Sequence, residues 1–449
     1  MKHFCGFAPL VLALAISSFI QSHGQTASPP DSNHGLEHAS LAAPLTVEQA
    51  VDQALQSNTE IRAAVRRLSL AQLKTATAGS LDDPMLMVRD WDTPLRKPWD
   101  LNQAQLMFSV QQTFVSKQKR DLRTKVAGDN VEVAAADLET LRQEVSASVR
   151  ETCATLMRSA DEMRLHDQQT TVLNEALSAA LAEYTTGKVP QADVLRAQMA
   201  LTRLNEHLVE LEEERDTASA QLNSLMGRSP EDAVEITGGY RAPSTVPTID
   251  DLERLAIKHR PELTALRKQI AKSDDQSQQV RLAMKPDLTV AAGYMLMPTG
   301  SNFRSAYMAE LTMNLPSLNR SRHDGEAKQA DAATDVARAE LDERTTSVFL
   351  EIRQAQIQVR SAQKRAKLYR DTLLPQAEAA FKAITAAYQN NRGEFMNLID
   401  SQNLLLDVRM DYFKALSAVD AGTAQLERAI GAPLSDANTT ASTVKRTGK

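Results

Sequence analysis

Residues 184–227 recur, without a gap, as residues 388–431. At this spacing of 204 Tyr184 meets Tyr388, Gln198 meets Gln402, Leu201 meets Leu405 and Asp216 meets Asp420. Ala220, Gln221, Leu222 and Gly227 likewise meet Ala424, Gln425, Leu426 and Gly431. Upstream, a spacing of 202 pairs Thr46 with Thr248, Ala54 with Ala256, Glu60 with Glu262, Pro84 with Pro286, Leu86 with Leu288 and Val88 with Val290. A repeat this long cannot be a solenoid unit. The chain is one unit written twice, and its two copies should form pseudo-symmetric halves of one object, such as a ring.

The start of the chain bounds where that object resides. Lys2 and His3 precede an apolar run from Phe7 to Ile20, and Ser22 and Gly24 supply the small residues before a signal-peptidase cut. Residues 1–24 are therefore expected to leave as a signal peptide. No later stretch is apolar for about 18 residues, so any membrane crossing must use strands. Cys5 departs with the signal and lacks the surroundings of a lipoprotein cysteine, which leaves Cys153 without an intrachain partner. A net charge of −6 provides no basic field for nucleic acid. Aromatics are only 4%, and Ala, Leu, Gln, Glu, Arg and Asp fill long stretches that read as extended helices.

Residues 25–44, rich in Ser, Pro, His and Ala, read as a flexible leader. The first repeat spans 45–230, a linker 231–247, the second repeat 248–432, and a polar tail 433–449. Each repeat opens with a helical pattern, capped by Thr46 in the first copy, and reaches a proline, Pro84 or Pro286. Two stretches of period-two alternation follow in each copy, predicting strands at about 84–92 and 104–115 and again at about 287–297 and 305–315. Asp92–Asn102 reads as a loop and Pro298–Ser301 as a turn. Strands of about ten residues suit a tilted membrane crossing.

Long helical stretches come next, from about Lys117 to Thr185 and from about Arg320 to Asn390. Leu201, Leu204, Leu208, Leu211, Ala218, Leu222 and Leu225 step in threes and fours, interrupted at Arg215. Leu405, Val408, Tyr412, Ala415, Val419, Leu426 and Ala429 repeat that seam, and Val348, Ile352, Ala355, Val359, Ala362, Ala366 and Tyr369 form another. Such stepping dictates left-handed coiling of packed helices.

The expected fold is thus mainly α with a small β portion: a duplicated unit of helix, β-hairpin, long helix and helix. Four strands in lipid leave two unpaired edges, each unsatisfied group costing several kcal/mol, so closure requires further chains. A dimer or a trimer would satisfy the edges, and a trimer also leaves an open lumen. This order of elements over residues 45–432, with Tyr184 and Gln198 echoed by Tyr388 and Gln402 and a small-residue stop at Gly227 and Gly431, resembles the TolC family of outer-membrane efflux channels. The resemblance implies a homotrimer whose twelve strands form a barrel in outer-membrane lipid, continued into the periplasm by a coiled helical tunnel. It also implies a periplasmic adaptor (membrane fusion) protein and an inner-membrane efflux pump as partners. The protein would be a passive conduit.

The resemblance places a periplasmic aperture where the long helices reverse, at Thr185–Pro190 and Gln389–Glu394. Tyr184 and Tyr388 match the family's aromatic positions, and Asp193 and Asp400 its acidic ones. Asn397 stands where the family often has an aspartate, and Gly393 where it has a latch arginine, beside Arg392. An inward Asp400 would become a ring of three carboxylates that favours cations and raises its own pKa values by mutual repulsion. The alternative is a solvated helix face on which Asp400 or Asp193 pairs with Arg196 or Arg409.

Met85, Met87, Met107, Met295, Met297 and Met308 occupy the strand faces opposite the Leu, Val and Tyr rows, where a lumen would lie. Thioethers are soft ligands suited to Cu(I) and Ag(I), although methionine also serves as packing filler. The run Ser116–Arg123 resembles the basic turn of the family's heavy-metal branch, without its Pro-Gly. Heavy-metal cations are therefore the favoured cargo. His34 and His38 in the leader could touch metal, whereas His166, His207, His259 and His323 have no ligand spacing and read as surface helix residues. No phosphate loop or nucleophile motif is present; neither an enzyme nor a bound cofactor is expected. A competing reading is an exported soluble coiled-coil adaptor or adhesin-like binding protein. It requires one face of the sheet to be covered by other elements.

Overall fold

The computed structural model describes residues 44–91, 105–299 and 302–434, except 244, 391 and 393. The signal peptide, the leader with His34 and His38, the expected loop at Asp92–Asn102, Gly300, Ser301, Gly393 and residues 435–449 of the tail lie outside the described residues.

Thr46 ends a two-residue strand β1 (Leu45–Thr46) and caps α1 (Val47–Ser57), its hydroxyl accepting from Gln49 N while the Gln49 side chain accepts from Thr46 N. This reciprocal box satisfies two orphan donors. The opening helical segment is divided at Asn58, whose side chain caps α2 (Thr59–Ala78). Strands β2 (Met85–Trp91) and β3 (Gln105–Phe114) follow, then α3 (Lys117–Thr185) and α4 (Gln191–Leu225). At 1.5 Å per residue the 69 residues of α3 span roughly 105 Å. In the linker, β4 (Ile236–Thr237) pairs in parallel with β1.

The second copy repeats the plan: α5 (Ile249–His259), α6 (Pro261–Leu282), β5 (Leu288–Thr299), β6 (Asn302–Met313), α7 (Arg320–Leu368), α8 (Leu374–Gln389) and α9 (Phe395–Ile430). One turn of 3₁₀ helix at Pro316–Asn319 joins β6 to α7. The stretch expected as one helix from Arg320 is broken by a wide π turn at Tyr369–Leu373, where Leu374 N donates to Tyr369 O. Pro375 is the cause. It has no N–H for the carbonyl four residues back, and the wider turn absorbs the misfit. At the matching place in α3 stands Thr171, and that helix continues.

Two equivalent joints hold the copies' ends. The Asn58 side chain donates to Leu225 O at 3.0 Å, and Arg260, 202 positions on, donates to Ala429 O at 3.0 Å. Arg260 is buried and its charge is met by Glu262 and by Glu351 at 2.6 Å. Beside these joints Gly227 (φ +68°) and Gly431 (φ +74°) take left-handed turns. A Cβ on Gly227 would stand 2.5 Å from Ser57 O, and one on Gly431 2.9 Å from His259 O. The stop identified from sequence is therefore both a backbone and a packing requirement.

The seams lie inside. Leu222, Val348, Ile352, Val359 and Leu426 are fully buried, and α3 packs against α2, α4, α6 and α9. Burying each such side chain stabilises by about 1.5–3 kcal/mol. Because α3 is enclosed on several sides, His166 is buried rather than on the surface, its Nε2 2.7 Å from Leu204 O. From the linker, Arg241 reaches α9 and pairs with buried Asp420 at 3.0 Å and Glu427 at 3.2 Å.

Candidate functional site

The four main strands form one antiparallel sheet in the order β2-β3-β5-β6. Register fixes its faces. Val88, Phe108, Tyr294 and Tyr307 lie directly opposite one another across the four strands, flanked by Leu86, Val110, Val290 and Leu311. This face is apolar and open: Leu86 is 70% exposed, Leu311 69% and Tyr307 90%. No described element covers it. The rows expected to look at lipid thus share one uncovered surface, the feature that a soluble sheet would have to hide.

The opposite face carries Met85, Met87, Arg89, Met107, Ser109, Gln111, Met295, Met308 and Glu310. Five of the methionines singled out from the sequence therefore fall on one face, and the side chain of Met297 lies outside the described residues. Met107 lies opposite Met295. Met107 is buried, Met87, Met295 and Met308 are half-buried, and Met85 is exposed. Each side of the sheet ends on a strand, β2 or β6, with no neighbour among the described residues.

At the far end of the helices, α3 closes on Gly187 (φ +71°), with Gly187 N donating to Tyr184 O and Lys188 N to Glu183 O, both at 3.0 Å. The second reversal has the same long closing bond, Arg392 N to Ala387 O at 2.9 Å, at the positions 204 further on. These bonds satisfy the helix carbonyls left at the turn. A small apolar cluster ties the two reversals together, drawing Leu173 and Ala180 from α3, Val194 and Ala197 from α4, and Phe395 and Ile399 from α9.

Tyr388 belongs to that cluster. Its ring lies 5.9 Å from Phe395, and its hydroxyl donates to Glu183 at 3.1 Å. Burial, reinforced by the carboxylates of Glu183 and Asp193, pushes the Tyr388 phenol up to about 12. Glu183 and Phe395 escaped the sequence reading; only their closeness to Tyr184 and Asn397 along the chain hinted at them. Tyr184, the pseudo-symmetric partner of Tyr388, is exposed, as are Arg392 and Asn397. Asp193, in the first turn of α4, is half-buried.

Asp400 is exposed and lines a groove between α4 and α9 with Arg196, Arg203, His207 and Asp407. The 204-residue spacing makes Arg196 its pseudo-symmetric counterpart. Among the described residues neither forms an ion pair, and Arg409 is taken by Glu378 at 3.1 Å. The pairing with Arg196 or Arg409 considered from sequence is therefore not formed in the single chain. Lower in the groove, burial raises the Asp407 carboxyl above the usual range, and the charge of Asp411 adds to it.

An uncovered apolar sheet face, two open strand margins and long paired helices are the geometry of a membrane channel wall. Comparison with known proteins decides the matter: the family described as outer membrane efflux protein matches residues 50–228 and again 252–432. The chain belongs to this outer membrane efflux protein family. The two matches coincide with the two copies found by self-comparison. The cobalt-zinc-cadmium resistance protein CzcC of Cupriavidus metallidurans is 25% identical over 431 residues, covering 95% of this chain and 99% of that one. Among solved structures, the outer membrane protein VceC of Vibrio cholerae aligns with a TM-score of 0.70 at 19% identity, covering 86% of this chain and 96% of that one. CusC aligns with a TM-score of 0.72 at 12% identity, covering 86% and 92% respectively. These structural likenesses are of fold. As a member of the efflux protein family, the chain is an outer-membrane efflux channel and not an enzyme.

Proposed function

We propose that three copies of this chain close a twelve-stranded barrel in the outer membrane and continue it into the periplasm as a helical tunnel. The tunnel is a passive conduit for heavy-metal cations, handed over by an inner-membrane pump through a periplasmic adaptor. The observation that carries this reading is the four-stranded sheet with an uncovered apolar face and open margins at β2 and β6. Lipid suits the face, and only strands of other copies can satisfy the margins. Within the chain, β3 of the first copy already pairs with β5 of the second. By pseudo-symmetry β6 would meet β2 of the next chain in the same manner.

The likeness to CzcC, a cobalt-zinc-cadmium resistance protein, supports a metal cargo. For the aperture we assign Asp400, Asp193, Asn397, Tyr388, Tyr184 and Arg392, all at or just beyond the helix reversals. The unpaired Asp400 supports a carboxylate ring there. A strain lacking the gene, grown on cobalt, zinc, cadmium, copper and silver salts and on dyes and antibiotics, tests the cargo. Sensitivity to metals alone is expected; sensitivity confined to dyes or antibiotics overturns it. Native mass measurement in detergent tests the assembly, with three chains expected. Recovery as a single water-soluble chain from the periplasm would sink the channel and favour an adaptor-like protein.

A further inference from the structure

We propose that α4 of one copy docks on α7 of a second copy through two ion pairs, Asp216 with Arg353 and Glu210 with Arg365. The duplication supplies the template. Inside one chain α9 packs against α3, and the hydroxyl of Ser417 on α9 donates to Ala154 O at 3.0 Å. Two charge contacts flank that bond. Arg150 of α3 lies in electrostatic reach of buried Asp420 on α9, and Lys414 of α9 in reach of buried Glu162 on α3. By the repeat, α4 is the first copy's equivalent of α9, and α7 the second copy's equivalent of α3. In a closed ring each second repeat meets the first repeat of a neighbouring chain as well as that of its own, so the same joint recurs between chains.

Register assigns the partners. Val145, Val149 and Leu156 of α3 are buried, as are Val348, Ile352 and Val359 of α7, a spacing of 203. The π turn at Tyr369–Leu373 adds the residue that makes the spacing 204 beyond it, and α4 and α9 also stand 204 apart. Asp420 and Arg150 thus become Asp216 and Arg353, with both residue types kept. Lys414 and Glu162 become Glu210 and Arg365, with both charges reversed. A reversal on both sides preserves the attraction, whereas a change on one side alone would repel.

In the single chain this surface is uncovered. Ala147 and Ala154 are buried, but their counterparts Leu350 and Ile357 are 58% and 54% exposed. The Asp420 side chain is 4% exposed and that of Asp216 68%. Among the described residues Glu210 and Arg365 form no ion pair, while Asp216 meets its chain neighbour Arg215 and Arg353 donates to Gln356 Oε1 at 3.0 Å. The flanks carry matching signs: Glu206 and Glu213 on α4, and Arg360 and Lys364 on α7, where no acid stands between Arg353 and Arg370. Such complementarity fixes the register of docking and disfavours wrong partners. The joint rests on the assembly proposed above and adds to it an interface in the helical part, apart from the strand margins.

The test uses the full-length protein in detergent, with native mass and the thermal dissociation of the assembly as readouts. Glu210→Arg and Arg365→Glu should each lower the dissociation temperature, and the double reversal should recover most of the loss; Asp216→Arg with Arg353→Asp should behave alike. Strong salt should shrink the difference between the natural chain and the single reversals. If the reversed variants do not fold, Arg365→Lys keeps the charge, and a carbodiimide should then link Glu210 to the introduced amine, giving a ladder of joined chains on denaturing gels and a peptide pair containing positions 210 and 365. Losses that merely add in the double variants, or the absence of that link, overturn the joint. A trimer without the coupling refutes the joint alone, and a dimer that shows it refutes the trimer alone.

Discussion

Gly431 illustrates how single residues bear on this fold. Its left-handed backbone and the 2.9 Å clearance to His259 O leave no place for a side chain. Gly431→Ala should cost about 2–3 kcal/mol, visible as a lowered denaturant midpoint in detergent. Tyr388 offers a test by titration. Its phenol keeps its proton to about 12 in the folded protein, above the ordinary value of 10.0. Between these values the unfolded chain has released the proton and the folded one has not, so stability should fall as pH rises through this interval and be fully present below it. Tyr388→Phe should lessen that slope and remove one late phenolate step from the ultraviolet titration, while Tyr240 and Tyr369, whose phenols burial also raises, keep theirs. The seam leucines and the stop glycines were legible because period and repetition mark them. Arg260, between α5 and α6, and His166, on α3, were not: tertiary neighbours that no local pattern announces bury both.

The strands were the clearest elements, since alternation by twos in Leu106–Val110 and Leu288–Leu296 sorts every side chain to one face or the other. That sorting has a consequence for insertion. Val88→Arg, in the middle of the apolar face, should destabilise the assembled protein by about 2–4 kcal/mol and reduce its recovery from outer membranes. Gln111→Arg on the opposite face should be tolerated, and equal damage from both changes would argue against a lipid-facing row. Helix interruptions were harder to read. Asn58 followed by Thr59 and Glu60 is a capping signal that the surrounding apolar period masked, and Pro375 announced a defect without revealing that a π turn would carry the chain through it.

For the whole molecule, duplication in the sequence disclosed the pseudo-symmetry, but one chain contains nothing that counts its copies. The proposed aperture would accordingly be a property of the assembly. If three Asp400 carboxylates ring and narrow the opening, Asp400→Ala should raise single-channel conductance at high salt by widening it and lessen the preference for cations most at low salt, where screening is weak. An unaltered conductance and ion preference would remove Asp400 from the gate. The pairing of β3 with β5 inside each chain bears on how such a cylinder could ever assemble. In the proposed trimer a ring of six hairpins would have six joins, three of them made within polypeptides, where no partner has to be found. Of the remaining three, two would arise from encounters between separate molecules, each costing translational and rotational freedom of about 4–15 kcal/mol, and the third would close the ring within the complex. Fusing two hairpins in tandem would thus halve the order of the closing reaction, letting such a circle complete at dilutions that would strand six half-length pieces.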